Sequence, residues 1–339
     1  MIFFRADSNE IIASGHIMRC ISIATFLKNK GCDVSFLIAD ENPVEMLEYA
    51  GITYQILHSK WNDLSHEIDK IHSIICKENN PILLIDTYSV NKEYVEEFLP
   101  YAKVGYIGSK QEYLGKLNFL INYSTDINDS FYNFNYSETK LLLGPSYAPL
   151  RKEFQNVLEH YNEPDFRILL TTGNTDPFNC VPLVIDKIIN NENLEGSYID
   201  VVVGKMFKNA NNLLAKYKDK HNITLHQNVV SMSELMQKAS LSISANGTTI
   251  YELAASHVPI ISFSLVPEQV RSAESLTKLG IIQYAGEMFS NMEKCINNII
   301  DHANRLKSYP QELELLGRKA HKIIDGKGCE KIYKELFEI

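Results

Sequence analysis

Short apolar runs alternate with longer amphipathic segments along most of the 339 residues, and this alternation limits the folds that the chain can adopt. Residues 2–6 and 81–86 are typical of buried strands, whereas residues 15–30 carry apolar side chains at helical spacing. Strands that alternate with helices form βαβ units, which build a parallel sheet with helices on both faces. The alternation fades near residue 122 and restarts at residue 168. We therefore predict an α/β fold with two doubly wound sheets in tandem.

The predicted domain boundaries lie where this alternation stops. A first Rossmann-like domain covers residues 1–150, a second covers residues 165–325, and residues 151–164 form a short helix and a linker. Residues 122–136, which are rich in Asn, Tyr, Ser and Asp, are predicted to be a surface loop. Ligands of doubly wound sheets bind at the carboxyl ends of the strands. Two such sheets that face each other would form one cleft, lined by loops of both domains.

Composition excludes several classes of partner. The chain has 42 Asp and Glu against 33 Lys and Arg, a formal net charge of −9, whereas nucleic-acid binders usually carry a basic face. No apolar run reaches the roughly 18 residues of a membrane span, so we predict no stable membrane insertion. The first residues reach a charge too early for a signal peptide. Six scattered cysteines without a C-x-x-C pair are typical of reduced thiols in a cytoplasmic protein. The composition leaves the oligomeric state open.

The loop after the first strand carries the candidate catalytic residues. Gly15 lets a ligand approach the start of the following helix, where free N–H groups and the positive end of the dipole favour anions. A histidine kept neutral at this position, His16, is suited to general-base chemistry. Arg19 lies one turn further along the same helix face. The alternative interpretation is that His16 merely caps or packs at the helix start.

A second group of residues follows strands of the second domain. A strand ends and a helix begins across Asn246, Gly247, Thr248 and Thr249. Their backbone amides and hydroxyls suit a phosphate or pyrophosphate, and Glu252 could accept hydrogen bonds from a ribose diol. Ordinary helix capping explains the same residues equally well. Gly173 and Asn174 form a similar turn, for which a plain tight turn is the alternative.

Competing cofactor motifs are absent from the sequence. It contains neither G-x-G-x-x-G nor G-x-x-x-x-G-K-[ST], and the closely spaced pair Gly326 and Gly328 lies near the C-terminus. His257, His302 and His321 are too far apart in sequence to suggest a metal cluster. We therefore predict neither a cofactor nor a metal ion.

The motif R-x-D at residues 5–7, followed by G-H-x-x-R-C at residues 15–20, resembles that of the UDP-sugar hydrolases of pseudaminic acid biosynthesis. These enzymes act on UDP-2,4-diacetamido-2,4,6-trideoxy-β-L-altropyranose and are relatives of the spore-coat polysaccharide protein SpsG. Residues 86–88, 143–154, 173–176 and 245–252 are similar to the same family, and the second half is similar to the nucleotide-binding domain of MurG-like glycosyltransferases. The resemblance implies a GT-B architecture with UDP on the C-terminal domain, the reactive sugar towards the N-terminal domain, and no metal.

The resemblance also implies roles for individual residues. His16 matches a catalytic histidine that activates water, and Tyr88 matches a tyrosine near the sugar, so we assign both to catalysis. Glu252 matches a glutamate on the ribose, and Thr248 and Thr249 match the phosphate loop. The full set that we expect to bind the substrate is Arg5, Asp7, Gly15, Arg19, Gly173, Asn174, Asn246, Gly247, Thr248, Thr249, Glu252, Glu268 and Gln269.

Five positions depart from the family pattern, and they bear on the sugar more than on the substrate class. Ala13 stands where a glycine is common. Thr87 stands at the middle position of a tripeptide that is usually Asp-His-Tyr, and Gly108 stands where an acidic residue often ends its strand. Asn174 replaces a glycine, and Glu268 replaces an asparagine. Our leading expectation is hydrolysis of a UDP-amino sugar with release of UDP. The alternatives are a GT-B glycosyltransferase, a UDP-releasing epimerase, and a catalytically silent UDP-binding partner protein.

Overall fold

A computed structural model describes residues 1–159 and 165–337, and the chain divides into two compact units. Unit 1 comprises Met1–Lys152 and Lys327–Ile339, and unit 2 comprises Glu153–Gly326. Residues 160–164 of the predicted linker lie outside the described ranges. In its described part, a 3₁₀ turn over Lys152–Phe154 stands where we predict a helix.

Unit 1 is a doubly wound sheet, as the alternation predicts. Its strands among the described residues are β1 (Ile2–Ala6), β2 (Val34–Ile38), β3 (Thr53–Ile56), β4 (Ile82–Asp86), β5 (Lys103–Ile107), β6 (Phe119–Asn122) and β7 (Lys140–Leu143). Its helices up to residue 152 are α1 (Gly15–Asn29), α2 (Val44–Tyr49), α3 (Ile68–Ile75), α4 (Lys92–Phe98) and α5 (Asp129–Asn135). All neighbouring strands pair in parallel, in the order β3-β2-β1-β4-β5-β6-β7, and apolar cores lie on both faces.

The prediction of a surface loop over residues 122–136 is wrong. Asn122 is the last residue of β6, and α5 begins after Asn128, whose side-chain oxygen accepts a hydrogen bond from the Phe131 N–H (3.2 Å). Tyr132 and Tyr136 are buried, and the Tyr136 hydroxyl donates to the carbonyl oxygen of Glu112 (2.7 Å). Tyrosine buries a large apolar ring once its hydroxyl has a partner, which outweighs the polar composition of the segment.

Unit 2 repeats the arrangement. Its strands in the described ranges are β8 (Arg167–Thr171), β9 (Tyr198–Val203), β10 (Ile223–Gln227), β11 (Leu241–Ala245), β12 (Ile260–Ser264) and β13 (Gln283–Glu287). Its helices there are α6 (Cys180–Ile189), α7 (Ala210–Tyr217), α8 (Met232–Lys238), α9 (Thr249–Ala255), α10 (Glu268–Lys278), α11 (Met292–Ser308) and α12 (Pro310–Ile323). The strand order is β10-β9-β8-β11-β12-β13, again parallel throughout. The two parallel sheets confirm the predicted α/β class.

The last helix, α13 (Gly328–Phe337), belongs to unit 1. Its Cys329 and Ile332 are buried in the core that contains α1, and Glu335 pairs with Lys140 of β7 (2.8 Å). The spacing of apolar residues does not indicate the unit in which this helix packs. Of the helices in the described residues, none is both long enough and apolar enough to cross a membrane.

Candidate active site

The strand order of unit 1 reverses between β1 and β4, and the polar residues predicted from the sequence meet at this point. Ala6 of β1 is in register with Asp86 of β4, so the loops that follow both strands leave the sheet side by side. Ligands of doubly wound sheets bind at such a reversal. His16 lies in the first turn of α1 and is buried beside Asp86.

Asp86 receives hydrogen bonds from three side chains of α1. His16 Nδ1 lies 2.5 Å from Oδ1, Arg19 Nε lies 2.5 Å from Oδ2, and Cys20 Sγ lies 3.3 Å from Oδ2. Arg19 Nη2 also donates to Oδ1. Burial alone would raise the pKa of Asp86, but the Arg19 guanidinium and then the His16 hydrogen bond lower it below its usual value. Asp86 is therefore ionised at neutral pH.

An ionised Asp86 fixes the tautomer of His16. A carboxylate can only accept hydrogen bonds, so Nδ1 of His16 must carry the proton. Arg19 Nη2 lies 3.0 Å from the same Nδ1, but two N–H groups cannot bond each other, and both instead share Oδ1 as acceptor. The neutral ring then has its lone pair on Nε2. A histidine oriented by a carboxylate in this way is the general base of many hydrolases.

The ring of Tyr88 contacts the imidazole of His16. Tyr88 follows Thr87 in the loop after β4, and its ring meets the imidazole edge-on at 4.4 Å between centroids. Its side chain is 67% exposed, so the phenol is open to a ligand. Thr87, one of the departures from the family pattern, is buried and accepts a hydrogen bond from the Ser89 N–H (3.3 Å) through its hydroxyl. That bond shapes the loop that presents Tyr88.

Arg5 and Asp7, predicted to bind the substrate, instead lie inside unit 1. Arg5 is fully buried and donates to Glu67 through Nε (2.6 Å) and Nη2 (2.9 Å), and to Asp7 through Nη1 (2.5 Å). Asp7 also accepts the Ala39 N–H (2.7 Å), and the Tyr94 hydroxyl donates to Glu67 (2.6 Å). All three guanidinium nitrogens of Arg5 are engaged by buried carboxylates. We therefore assign Arg5 and Asp7 to support of the loop that follows β1.

Ala13 occupies a backbone conformation that favours glycine. Its φ is +54°, and it forms an isolated antiparallel bridge with Asn9, whose side-chain oxygen accepts the N–H groups of Ile11 (2.8 Å) and Ile12 (3.0 Å). This conformation is one that glycine adopts more readily than alanine. Gly15, two residues later, is exposed, and no atom lies within 4 Å of a Cβ built on it.

Ala13→Gly is expected to raise the free energy of unfolding of unit 1 by about 0.5–1 kcal/mol, since the left-handed conformation costs alanine about 1–2 kcal/mol and the freer unfolded chain offsets part of the gain. Thermal denaturation measures the change. Ala50→Gly, at a residue with φ of −77° in the same unit, is the matched control and should not stabilise. A lower free energy of unfolding in Ala13→Gly would contradict the inference that Ala13 is strained.

In unit 2 the strand order reverses between β8 and β11, and the second group of predicted residues lies there. Gly173 (φ +79°) and Asn174 are exposed in the loop after β8, and Gly247 and Thr248 are exposed after β11. Thr249 begins α9, and Glu252 is half-buried in its first turn.

The capping alternative for Thr248 does not hold. Thr248 is the N-cap residue of α9, yet its side chain makes no cap hydrogen bond. Its hydroxyl therefore does not stabilise the start of α9.

Asn246 and Gln269 hold two of these loops together. Asn246 is buried, and its Nδ2 donates to the backbone oxygen of Gln269 (2.9 Å), whose Oε1 accepts the Leu265 N–H (2.7 Å). Within the described residues, Asn246 Oδ1 and Thr172 Oγ1 are buried without a hydrogen-bond partner, as is expected where a ligand or water completes a site. Glu268, the first residue of α10, is exposed beside them.

Several residues that shape the site have no role assigned from the sequence. Asp86 ends an apolar run and lies in the segment 86–88 that the resemblance covers, but its pairing with His16 shows no sequence signal, and neither does Glu67. Gly204, after β9, also shows none: a Cβ on it would lie 2.3 Å from the carbonyl oxygen of Gly173 and 2.5 Å from the backbone of Asn174. Because Gly204 has no Cβ, the loop after β9 can lie against the loop after β8 and support it.

The positions of the His, Cys, Asp and Glu side chains determine whether a metal ion could bind. Across residues 1–159 and 165–337, no group of three or more His, Cys, Asp and Glu side chains is arranged to hold a metal ion.

The sequence has distant relatives among characterised and uncharacterised proteins. An uncharacterised protein of Methanocaldococcus jannaschii is 23% identical over 269 residues, which are 75% of this chain and 54% of that protein. The pseudaminic acid cytidylyltransferase and UDP-2,4-diacetamido-2,4,6-trideoxy-β-L-altropyranose hydrolase of Helicobacter pylori is 23% identical over 296 residues, 79% of this chain and 45% of that protein. The chain thus spans about half the length of the curated relatives it matches. No protein-family model matches the sequence.

Solved structures share the fold at low sequence identity. UDP-GlcNAc 2-epimerase of Neisseria meningitidis, bound to UDP-GlcNAc, superimposes with a TM-score of 0.68 over the whole of both chains at 13% identity. MurG of Acinetobacter baumannii has a TM-score of 0.64 at 14% identity, covering 100% of this chain and 99% of its own. Together with the two parallel sheets, these likenesses confirm the predicted GT-B architecture.

Proposed function

We propose that the chain hydrolyses a UDP-linked diacetamido-trideoxyhexose and releases UDP, with His16 as the general base. The observation that carries the proposal is the His16–Asp86 pair, which leaves the lone pair of Nε2 at the carboxyl edge of the sheet. The Helicobacter pylori relative, whose name includes a UDP-sugar hydrolase activity, supports the substrate class.

The proposed reaction needs one proton acceptor and one leaving group. Nε2 of His16 takes a proton from water as the water oxygen bonds the anomeric carbon. The bond from that carbon to the β-phosphate oxygen breaks, and its electron pair leaves with UDP. Asp86 stabilises the imidazolium that forms, and the proton then passes to solvent. General-base assistance of this kind contributes about 10²–10⁴-fold to the rate.

We assign the diphosphate to the loops after β8 and β11. Their exposed backbone at Gly173 and Gly247 and the exposed hydroxyl of Thr248 offer donors to phosphate oxygens without clustered lysines. Glu252 accepts from the ribose diol in this proposal. The Neisseria meningitidis structure with bound UDP-GlcNAc supports a nucleotide-sugar ligand for this fold.

Incubation with UDP-2,4-diacetamido-2,4,6-trideoxy-β-L-altropyranose in H₂¹⁸O, without an acceptor, tests the proposal. We expect free sugar and UDP by NMR, with ¹⁸O in the sugar and none in UDP. Label in UDP would mean cleavage of the P–O bond, which contradicts attack on the anomeric carbon. Turnover only after addition of a sugar acceptor would identify a transferase, and a C-2 inverted sugar an epimerase. UDP binding without turnover of any UDP-amino sugar would favour a silent partner protein.

Gly204→Ala is expected to weaken UDP binding by about 10- to 100-fold, because the new Cβ would push the loop of Gly173 and Asn174 out of place at a cost of about 1–3 kcal/mol. Isothermal titration calorimetry with UDP measures the change. Gly280→Ala is the matched control in unit 2, since its φ of +73° is strained by alanine but no atom lies within 4 Å of the new Cβ. An unchanged dissociation constant for Gly204→Ala would remove this loop from the UDP site.

A further inference from the structure

Tyr123 directly follows the last residue of β6 and is not among the site residues predicted from the sequence. The backbone on both sides of it is held by Asn122, whose Nδ2 donates to the Tyr132 hydroxyl (3.0 Å) and whose Oδ1 accepts the Ser124 N–H (3.0 Å). Tyr123 therefore presents its ring from a fixed position.

The phenol of Tyr123 contacts the guanidinium of Arg19 in two ways. Arg19 Nη1 donates to the Tyr123 hydroxyl (3.4 Å), and Arg19 Cζ lies 5.9 Å from the centre of the tyrosine ring. A cation near the face of an aromatic ring is attracted by the ring quadrupole, most strongly where water is partly excluded. The Arg19 side chain is 19% exposed, so this contact lies at the boundary between the protein and solvent.

A continuous line of contacts joins Tyr123 to the proposed base. Arg19 places Nε and Nη2 on the Asp86 carboxylate while Nη1 reaches Tyr123, and Asp86 in turn holds Nδ1 of His16. The planar guanidinium is rigid, so the position of Nη1 fixes where the other two nitrogens lie. Without the tyrosine, the partly exposed arginine can rotate towards water and leave the carboxylate.

We propose that Tyr123 is a positioning residue for the proposed hydrolysis: it holds Arg19 on Asp86, and thereby keeps the His16 proton on Nδ1 and the lone pair on Nε2. This inference rests on the proposed function for its effect on turnover, but its effect on the His16 tautomer does not depend on the substrate.

The groups around Asp86 determine what loss of Arg19 would do. His16, Arg19 and Cys20 face the carboxylate from α1, and Tyr106 approaches from β5, where burial and then Asp86 raise its pKa. Among these groups Arg19 is the permanent cation. Its displacement would raise the pKa of Asp86 and weaken the hydrogen bond that holds the proton on Nδ1 of His16.

Two variants separate the contacts. Tyr123→Phe keeps the aromatic face and removes the hydroxyl, whereas Tyr123→Leu removes both. We expect Tyr123→Leu to lower kcat by about 5- to 30-fold with KM changed less than about twofold, and Tyr123→Phe to recover most of the loss. Tyr101→Leu is the matched control, because Tyr101 is a half-exposed tyrosine of unit 1 that contacts another histidine ring, that of His72 (4.8 Å).

The ¹⁵N spectrum of histidine-labelled protein provides the readout that a merely structural role would not move. The His16 signals are assigned by His16→Gln, and we expect a protonated Nδ1 in the wild type and in Tyr123→Phe, but mixed tautomers in Tyr123→Leu. An unchanged His16 tautomer in a folded Tyr123→Leu would overturn the proposal. If the wild type releases no UDP from any UDP-amino sugar, the proposed function fails, while the ¹⁵N result still decides the role of Tyr123.

Discussion

Asp86→Asn is expected to lower kcat for UDP release by about 10²–10⁴-fold, the largest catalytic effect of any substitution outside His16 itself. An asparagine offers N–H donors to Nδ1 of His16 where the carboxylate offers only acceptors. The imidazole then carries its proton on Nε2. This nitrogen therefore has no free lone pair with which to take a proton from water. Steady-state kinetics with NMR detection of UDP measures the loss, with the KM expected to change little because the Asp86 side chain is buried.

The control for this variant must remove a carboxylate–histidine pair elsewhere in the chain. Asp200 of β9 supplies it, because its carboxylate accepts from Nε2 of His226 (2.7 Å) and from Arg167 (3.2 Å). We expect Asp200→Asn to keep kcat within about twofold, since this pair of unit 2 lies outside both groups of candidate residues. Equal losses in the two variants would mean that Asp86 acts through stability alone and would remove it from the mechanism.

The pH dependence of stability gives an independent check on Asp86. Its folded-state pKa is lowered from the ordinary 3.8, so the carboxylate contributes stability above that ordinary pKa and loses it as the pH falls through the lowered value. Asp86→Asn also leaves the Arg19 cation without its partner, which adds to the cost of the substitution. We therefore expect the difference in unfolding free energy between wild type and variant to be full at neutral pH and to shrink below about pH 4.

Most strands and helices are predictable because they follow from local spacing of apolar residues. The strand-end rule then leads to Gly15, His16 and Arg19, whereas Tyr88 is assigned from the resemblance. The pairing of His16 with Asp86 is not predictable from local spacing, because the two residues lie 70 positions apart in the chain. Its proximity depends on β4 pairing with β1 and not with β3, its predecessor in sequence. Strand order is a long-range property that apolar spacing does not encode.

For Arg5 and Asp7, closeness in sequence to the candidate site does not indicate where their side chains lie. They flank the same strand end as the candidate site, but side chains alternate between the faces of a strand. Arg5 points away from α1, towards Glu67, which lies 62 positions along the chain in a short 3₁₀ turn. A buried arginine requires a carboxylate partner, yet nothing local identifies which acidic residue supplies it.

Substitutions of Gly326 and Gly328, just before and at the start of α13, are expected to have the largest effects on stability. A Cβ on Gly328 would lie 2.1 Å from the carbonyl oxygen of Ala148, and a Cβ on Gly326 would lie 2.2 Å from that of Phe154. Both obstacles are backbone atoms, which cannot rotate aside as a side chain can. Gly328→Ala should therefore cost about 2–3 kcal/mol, and Gly326→Ala about 3–5 kcal/mol because its φ of +75° adds strain.

The two substitutions should destabilise different parts of the chain, and this makes the prediction sharp. Gly328 and Ala148 belong to unit 1, whereas Gly326 and Phe154 belong to unit 2. Hydrogen exchange with mass spectrometry should therefore show faster exchange in β1 and β4 for Gly328→Ala, and in β8 and β11 for Gly326→Ala, with thermal shifts of about 4–12 °C or more. Gly280→Ala shares the left-handed strain without the clash, and Gly15→Ala adds a methyl group at a helix start with no atom within 4 Å, so both should lower the midpoint far less. Uniform loss of protection across both units in either variant would contradict this prediction, because it would mean that the two units unfold together.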